Sequence, residues 1–294
     1  MKKNGFYSNG RQRWWCSSCK HSFSGKSKKS KRAREQIWFR RWVIEGYSAR
    51  QLTQQSNHSR AKLYRIIDYW LKEGSPSNNG NLAHHRHLIF DGTFLHRRVS
   101  LVALMDGETN KIITGCYGVS ENSEKQLRAF FTPLIARGLN PLSFTVDGSP
   151  QAIKVMRELW PGIIIQRCLA HIQRQGLVWC RNYPKTTNAR RLRDIFLKIT
   201  QIQTKQQWEQ KYGGDIMIRP EKGWVFSDLK RARSMLIKAP PYMSHYLDDH
   251  GIPFTTNSLE GYFSRLKRHY RQHRGLRSNK LENYFKWYFC LIPK

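Results

Sequence analysis

Leu88-Ile89-Phe90-Asp91-Gly92-Thr93-Phe94-Leu95 is an apolar run broken by one carboxylate, and its reading decides the fold. A run of this composition and length predicts a strand, and an aspartate inside it is costly to bury without a partner. Working outward, residues 99–105 and 112–117 are two more strands flanking Asp106-Gly107-Glu108-Thr109-Asn110, which reads as a hairpin connection. Asn122-Ser123-Glu124-Lys125-Gln126 then caps a helix through Phe130, Phe131 and Leu134. A strand Phe144-Thr145-Val146 ends at Asp147, a helix follows over residues 149–160, then a strand Ile163-Ile164-Ile165-Gln166 and a helix beginning near Cys168. Three antiparallel strands followed by alternating helices and strands make a mixed α/β sheet. Over residues 86–182 this is the element order of a ribonuclease H-like fold.

Residues 183–250 are helical in pattern, as in Leu192, Ile195, Phe196 and Ile199 and in the stretch around Trp208. They form an expected helical insertion domain before the last part of the core, residues 251–294, which carries Glu260 on a helix opened by Thr255-Thr256-Asn257. Upstream, residues 74–85 are a linker, rich in Gly, Ser, Pro and Asn at their start. Residues 26–73 open on a basic run, residues 26–34, and continue into Ile37-Trp38-Phe39-Arg40-Arg41-Trp42-Val43-Ile44, a helix that Gly46 ends. Ser48-Ala49-Arg50-Gln51 is a capping box, Ser56-Asn57-His58 a turn, and a further helix runs from Ser59 through Leu63, Ile66, Ile67 and Trp70. Helix, tight turn and helix suggest a small helix-turn-helix domain with Ser59, Arg60, Lys62 and Arg65 at the start of the recognition helix, against the plainer reading of a packing or dimerisation module. Residues 1–25 look like the second half of a zinc ribbon, with Cys16 and Cys19 spaced as a knuckle. Four ligands are needed, so either the first knuckle lies outside this chain, or His21 and another residue complete the shell, or no zinc is held.

With 52 Lys+Arg against 20 Asp+Glu the net charge is +32 over 294 residues, which points to a polyanionic partner and excludes a disordered tail, since 39% of the residues are hydrophobic. Met1-Lys2-Lys3-Asn4-Gly5 leads into polar residues and no apolar run is long enough to span a bilayer, so a cytoplasmic protein with no membrane partner is expected. Six cysteines, irregularly spaced, read as ligands and core thiols and not as a disulfide framework.

Against that basic background stand three carboxylates: Asp91 and Asp147 on strands, Glu260 on a helix. Phosphodiester chemistry uses two divalent ions to activate a nucleophile and to stabilise the leaving oxygen. Hard oxygen ligands suit Mg²⁺ or Mn²⁺. Each carboxylate also has a duller reading. Asp91-Gly92, Asp106-Gly107 and Asp147-Gly148 are all turn signals, and Glu260, three residues after Asn257, sits where a capping-box glutamate would. Asp106, among polar turn residues, is assigned to the turn. Cys168 and His171 are half a metal-ligand set with Cys180 a distant third, and are read as structural residues near the site, with His171 also able to touch the scissile phosphate. On the last helix Leu259, Phe263, Leu266 and Tyr270 form an apolar seam, while Glu260, Ser264, Lys267 and Arg271 share another face. Lys267 and Arg271 are expected to hold DNA, Arg265, Arg268, His269, His273 and Arg274 to extend the basic patch, and Tyr262 and Tyr270 to stack on bases.

Phe90-Asp91-Gly92-Thr93, Val146-Asp147-Gly148, Cys168-Leu169-Ala170-His171 and Thr255-Thr256-Asn257-Ser258-Leu259-Glu260-Gly261 together resemble the signature set of Mutator-type DDE transposases of bacterial insertion sequences. The resemblance covers nearly the whole chain. It implies that Asp91, Asp147 and Glu260 are a metal-binding catalytic triad and that the protein binds terminal inverted repeats and target DNA as a homodimer or larger assembly. It further implies strand cleavage and strand transfer without a covalent protein–DNA intermediate. The competing expectations are a catalytically silent transposase-derived DNA-binding protein and a structure-specific nuclease on the same fold.

Overall fold

The computed structural model describes residues 1–24, 28–76, 80–96, 99–212, 226–273 and 275–294. Lys26 at the start of the basic run, the middle of the 74–85 linker, Arg274 and part of the 183–250 segment lie outside the described residues. The chain divides into two compact units, Met1–Ser75 with His269–Leu276, and Pro76–Arg268 with Arg277–Lys294.

The first unit opens with β1 (Lys2–Phe6), β2 (Gln12–Trp15) and β3 (Ser22–Ser24), an antiparallel sheet in the order β1-β2-β3. Three helices follow, α1 (Lys28–Ile44), α2 (Ala49–Ser56) and α3 (Arg60–Glu73). Their boundaries come from local chemistry. Gly46, at φ +67°, takes the left-handed conformation that L side chains resist. Ser48 and Gln51 form a reciprocal capping box. Asn57 then turns the chain at φ 53°, and the Ser59 side chain accepts from the Lys62 N–H at 3.3 Å to cap α3. Phe39, Trp42, Val43, Leu52, Leu63, Ile66, Ile67 and Leu71 are buried and form the helical core.

The second unit is built on β4 (His87–His96), β5 (Val99–Asp106), β6 (Ile112–Tyr117), β7 (Ser143–Val146) and β8 (Ile164–Arg167), in the order β6-β5-β4-β7-β8. The β4–β5 and β5–β6 pairs are antiparallel, β4–β7 and β7–β8 parallel. This is the mixed sheet expected from the element order. Asp106 ends β5 and its side chain holds the turn that follows, accepting from the Thr109 N–H and hydroxyl at 2.7 Å each and pairing with His85 Nδ1 at 2.7 Å. On one sheet face Leu88, Phe90, Val102 and Leu104 pack against α4 (Glu124–Ile135) and α5 (Pro150–Leu159), through Phe130, Phe131, Val155 and Met156. Ile89, Leu101, Ala103 and Met105 are buried as well, so β4 and β5 read as continuous apolar runs because both faces are covered.

Beyond the sheet, α6 (Leu169–Cys180), α7 (Thr187–Lys198), α8 (Lys205–Tyr212) and α9 (Phe226–Lys238) enclose their own cluster, which includes Leu169, Ile172, Leu192, Phe196, Leu229 and Leu236. The chain then returns as α10 (Asn257–Arg271) and α11 (Ser278–Leu291). The last helix packs on β6, where Tyr117 and Phe285 stack with centroids 5.3 Å apart. Gly115 makes room for that packing: a Cβ there would lie 2.2 Å from Phe289 Cζ. Gly115→Ala is expected to cost about 1–3 kcal/mol through overpacking, seen as a lower denaturant midpoint. An unchanged midpoint would mean that the Phe289 ring yields freely.

Candidate active site

Asp91 stands near the middle of β4, opposite Ala103 of β5, and is 6% exposed. Its Oδ1 accepts from the Gly92 N–H at 2.8 Å. Burial, reinforced by Asp147 and Glu260 and opposed by His171, pushes its carboxyl up to about 7. Asp147 follows the last residue of the parallel neighbour β7, at the carboxyl end where α/β sheets hold ligands. Its Oδ1 accepts from the Ser149 N–H at 2.9 Å, and its carbonyl accepts from Arg167 Nη2 at 3.1 Å. Gly148 takes φ +106°, a conformation L side chains resist, and a Cβ there would displace the Arg167 guanidinium, whose Nε would lie 2.4 Å away.

Glu260 reaches this place because the segment before α10 is tied to the ends of β7 and β8. Thr145 Oγ1 donates to the Pro253 carbonyl, Leu169 N to the Phe254 carbonyl at 2.9 Å, and Thr256 N to Cys168 Sγ at 3.2 Å. The capping-box expectation for Glu260 does not hold. Asn257 is itself the first helical residue, and the Glu260 carboxylate turns instead to Arg174, Nη2 to Oε2 at 3.1 Å, and to His171, Nε2 to Oε1 at 3.4 Å.

Two groups of ligand atoms result, each lying within 4.8 Å, and Asp91 belongs to both: Asp91 with His171 and Glu260, and Asp91 with Glu121 and Asp147. Glu121 was not singled out in the sequence; it lies in the polar connection between β6 and α4. Burial, then the charges of Asp147 and Asp91, drive its carboxyl up to about 8. Beside it is a cavity of about 360 Å³ bordered by Gly92, Thr93, Phe94, Glu121, Asp147 and Ser149. Arg174, also missed, is an exposed cation on α6 whose only sequence signal was a polar position one turn after His171.

Cys168 is buried and accepts from both the backbone N–H and the hydroxyl of Thr256, 3.2 and 3.4 Å away. Burial raises its thiol, but the hydrogen bonds from His171 and Thr256 together bring it below its ordinary value. The hydrogen bond to Cys168 is the first cause that lifts His171 to about 9, with Asp91 and Glu260 adding to it against burial. The charged form of the imidazole is therefore favoured among the carboxylates. Cys180 is buried in the helical cluster away from this pair.

On α10 the apolar seam is wider than the sequence suggested. Tyr262 is fully buried with its hydroxyl donating to the Ile292 carbonyl at 2.7 Å, and Tyr270 is 8% exposed, so neither ring is available to stack on a base. His273 is likewise interior to the first unit, donating from Nε2 to the Trp42 carbonyl at 3.0 Å, and burial holds it down at about 4, neutral. Lys267 in the second unit is partly exposed, as is His269 in the first; Arg265, Arg268 and Arg271 are exposed. At the start of α3, Arg60 and Arg65 are exposed, whereas Ser59 is occupied as the cap and Lys62 leans toward buried Glu35 at 4.0 Å. Cys16 and Cys19 lie between β2 and β3, and among the described residues neither belongs to a group of three metal-ligating side chains. No helix among the described residues is long and apolar enough to cross a membrane.

Fold and site together define a mixed α/β protein whose central strand carries an acidic cluster edged by cations. The model of the Mutator family of transposases matches residues 89–279, more than half of the chain and the segment that holds every residue of the cluster. The chain belongs to that family. None of the curated proteins compared with it matches.

Proposed function

We propose that the protein is a DDE transposase of a bacterial insertion sequence, acting in the cytoplasm on its element ends, with Asp91, Asp147 and Glu260 as the catalytic acids on a ribonuclease H-like core. The observation that carries this is the double membership of Asp91, which lies within ligand distance of Asp147 on one side and of Glu260 on the other. The donor set fits a divalent cation. It is dominated by hard carboxylate oxygens, and one of them, Glu121 Oε1, is buried with no hydrogen-bond partner among the described residues. Asp91 and Asp147 would hold one Mg²⁺ or Mn²⁺, and Asp91 and Glu260 a second. Bound there, the ions would supply an activated water or 3′-hydroxyl and stabilise the leaving oxygen.

The rest of the work falls to the chain. Asp91 is fixed in mid-strand, its Oδ1 accepting from the Gly92 N–H, and would be shared by the two positions. Arg174 and His171 neutralise Glu260 in the free protein and, beside the reacting phosphate, would bind its oxygens. Lys267, two turns after Glu260 on α10, adds a phosphate contact. In the first unit α2, the Asn57 turn and α3 serve as the helix-turn-helix that binds the terminal inverted repeats, with Arg60 and Arg65 as its leading cations. A homodimer or larger assembly would hold two ends together.

The test incubates the purified protein with an element-end duplex and Mg²⁺ or Mn²⁺. Nicking at the end, followed by joining of the freed 3′-hydroxyl to a second duplex, is expected. Chelation, Asp147→Ala or Glu260→Ala should each abolish it. Cleavage without joining would leave a structure-specific nuclease, and binding without cleavage under any metal condition would leave a silent DNA-binding protein.

A further inference from the structure

Glu121 has no place in the Asp91–Asp147–Glu260 trio, yet four observations converge on it. Ser149 fixes it to Asp147: the Ser149 hydroxyl donates to the Glu121 carbonyl at 3.2 Å while the Ser149 N–H donates to Asp147 Oδ1 at 2.9 Å. Gly92 leaves it room beside Asp91, for a Cβ at that position would fall 2.4 Å from Glu121 Oε1. Its carboxylate reaches within 4.8 Å of the ligand oxygens of both aspartates. Finally, Oε1 is buried and accepts no hydrogen bond among the described residues.

A structural glutamate would show what its carboxylate holds. Here the loop is fastened without it, by Ser120 N donating to Gln126 Oε1 at 2.8 Å and Ser123 N to the Ser120 carbonyl at 3.1 Å. A buried carboxylate oxygen with no hydrogen bond to satisfy it is unfavourable by itself, and two like charges alongside make it worse. What such an arrangement suits is a cation that takes up the combined charge.

We propose that Glu121 is a fourth carboxylate of the cation site, ligating a divalent ion together with Asp91 and Asp147. The inference rests on the reading of those aspartates as ligands given above. It also accounts for Gly92, whose missing side chain leaves the space that the Glu121 carboxylate occupies.

The test measures Mn²⁺ binding to the full chain by calorimetry and electron paramagnetic resonance, without DNA, for the wild type, Glu121→Gln, Gly92→Ala and Asp91→Asn. Glu121→Gln keeps size and shape but removes the charge. It should weaken one Mn²⁺ by about tenfold or more and shrink the Mn²⁺-induced rise in melting temperature. The metal-free variant should melt no lower than the wild type, because a repulsion has gone. Gly92→Ala displaces the carboxylate without deleting it and should weaken the same ion; it also serves if Glu121→Gln fails to fold. Wild-type affinity in both folded variants, with loss in Asp91→Asn, would overturn the role of Glu121 and leave the cation site standing. Equal Mn²⁺ binding by wild type and Asp91→Asn would overturn both.

Discussion

Replacing Asp91 by Asn is expected to make the metal-free protein more stable while reducing strand cleavage by about a thousandfold or more. The two effects have one cause. Asp91 is buried, and its folded-state carboxyl titrates at about 7, well above its ordinary value, because burial and the neighbouring acids disfavour the charge. A group whose pKa rises on folding lends stability that is complete below its unfolded pKa and is lost as pH climbs through the folded one. Metal-free wild type should therefore lose stability between about pH 4 and pH 8. Glu121, raised to about 8 for the same reasons, adds to the slope. Asparagine keeps the oxygen that accepts from Gly92 N–H and discards the charge, so the variant should gain on the order of 1–3 kcal/mol near pH 8, discounted from the full shift because relaxation and water screen the site. Thermal melts in chelator at several pH values measure this, the difference between variant and wild type at each pH removing the contribution of overall charge. Saturating Mg²⁺ should invert the order, since only the wild type can use it. A variant that is less stable at every pH would show Asp91 to be an ordinary buried structural acid.

That Asp91 could be singled out from the sequence, and Glu121 could not, has a physical explanation. A carboxylate inside an apolar strand is anomalous against its neighbours, whereas Glu121 lies in a polar stretch, Ser120 to Ser123, where one more acid is unremarkable. Its partners, Asp91 and Asp147, are about thirty residues away in either direction, at distances only the sheet order brings together. Gly92 was half legible for a related reason. The apolar residues on both sides of Asp91-Gly92 pointed to a strand continuing through the pair, as it does, but that the missing side chain makes room for Glu121 could not be read from the sequence. Many of the elements were legible, because capping residues and apolar runs act locally: Ser48 with Gln51, Asn57, Ser59, Ser123 and Ser149 all stand where their chemistry would put them, whereas the short strands β1 to β3 and the last helix, α11, were not anticipated. Tyr262 and Tyr270 were misjudged since an aromatic on a basic helix suits either a base or a core. The buried face of α10 spans Tyr262 as well as Leu259, Phe263, Leu266 and Tyr270, wider than a single seam.

Affinity for duplex DNA is expected to fall by about 10³ to 10⁵ between roughly 50 and 200 mM salt, the behaviour of a protein that neutralises about six to ten phosphates. The net charge of +32 makes a polyanion the natural partner but does not say which cations meet it. Several are already engaged within the protein: Arg32 lies 3.7 Å from the centre of the Tyr69 ring and, with Lys62, faces buried Glu35. Arg174 is bound to Glu260. Arg60 and Arg65 on α3, Lys267 and Arg271 remain open to solvent at least in part. Each contact removed should lower the slope of log affinity against log salt by about one, so Arg60→Ala and Arg65→Ala are expected to flatten it while Asp91→Asn leaves it unchanged. Fluorescence anisotropy with a labelled end duplex and a scrambled duplex gives the slopes. Losses equal on the two duplexes assign a residue to the backbone, and a loss confined to the end sequence assigns it to base recognition. An affinity indifferent to salt would mean that the positive surface is not what holds the nucleic acid, and that the charge of this chain serves something other than DNA.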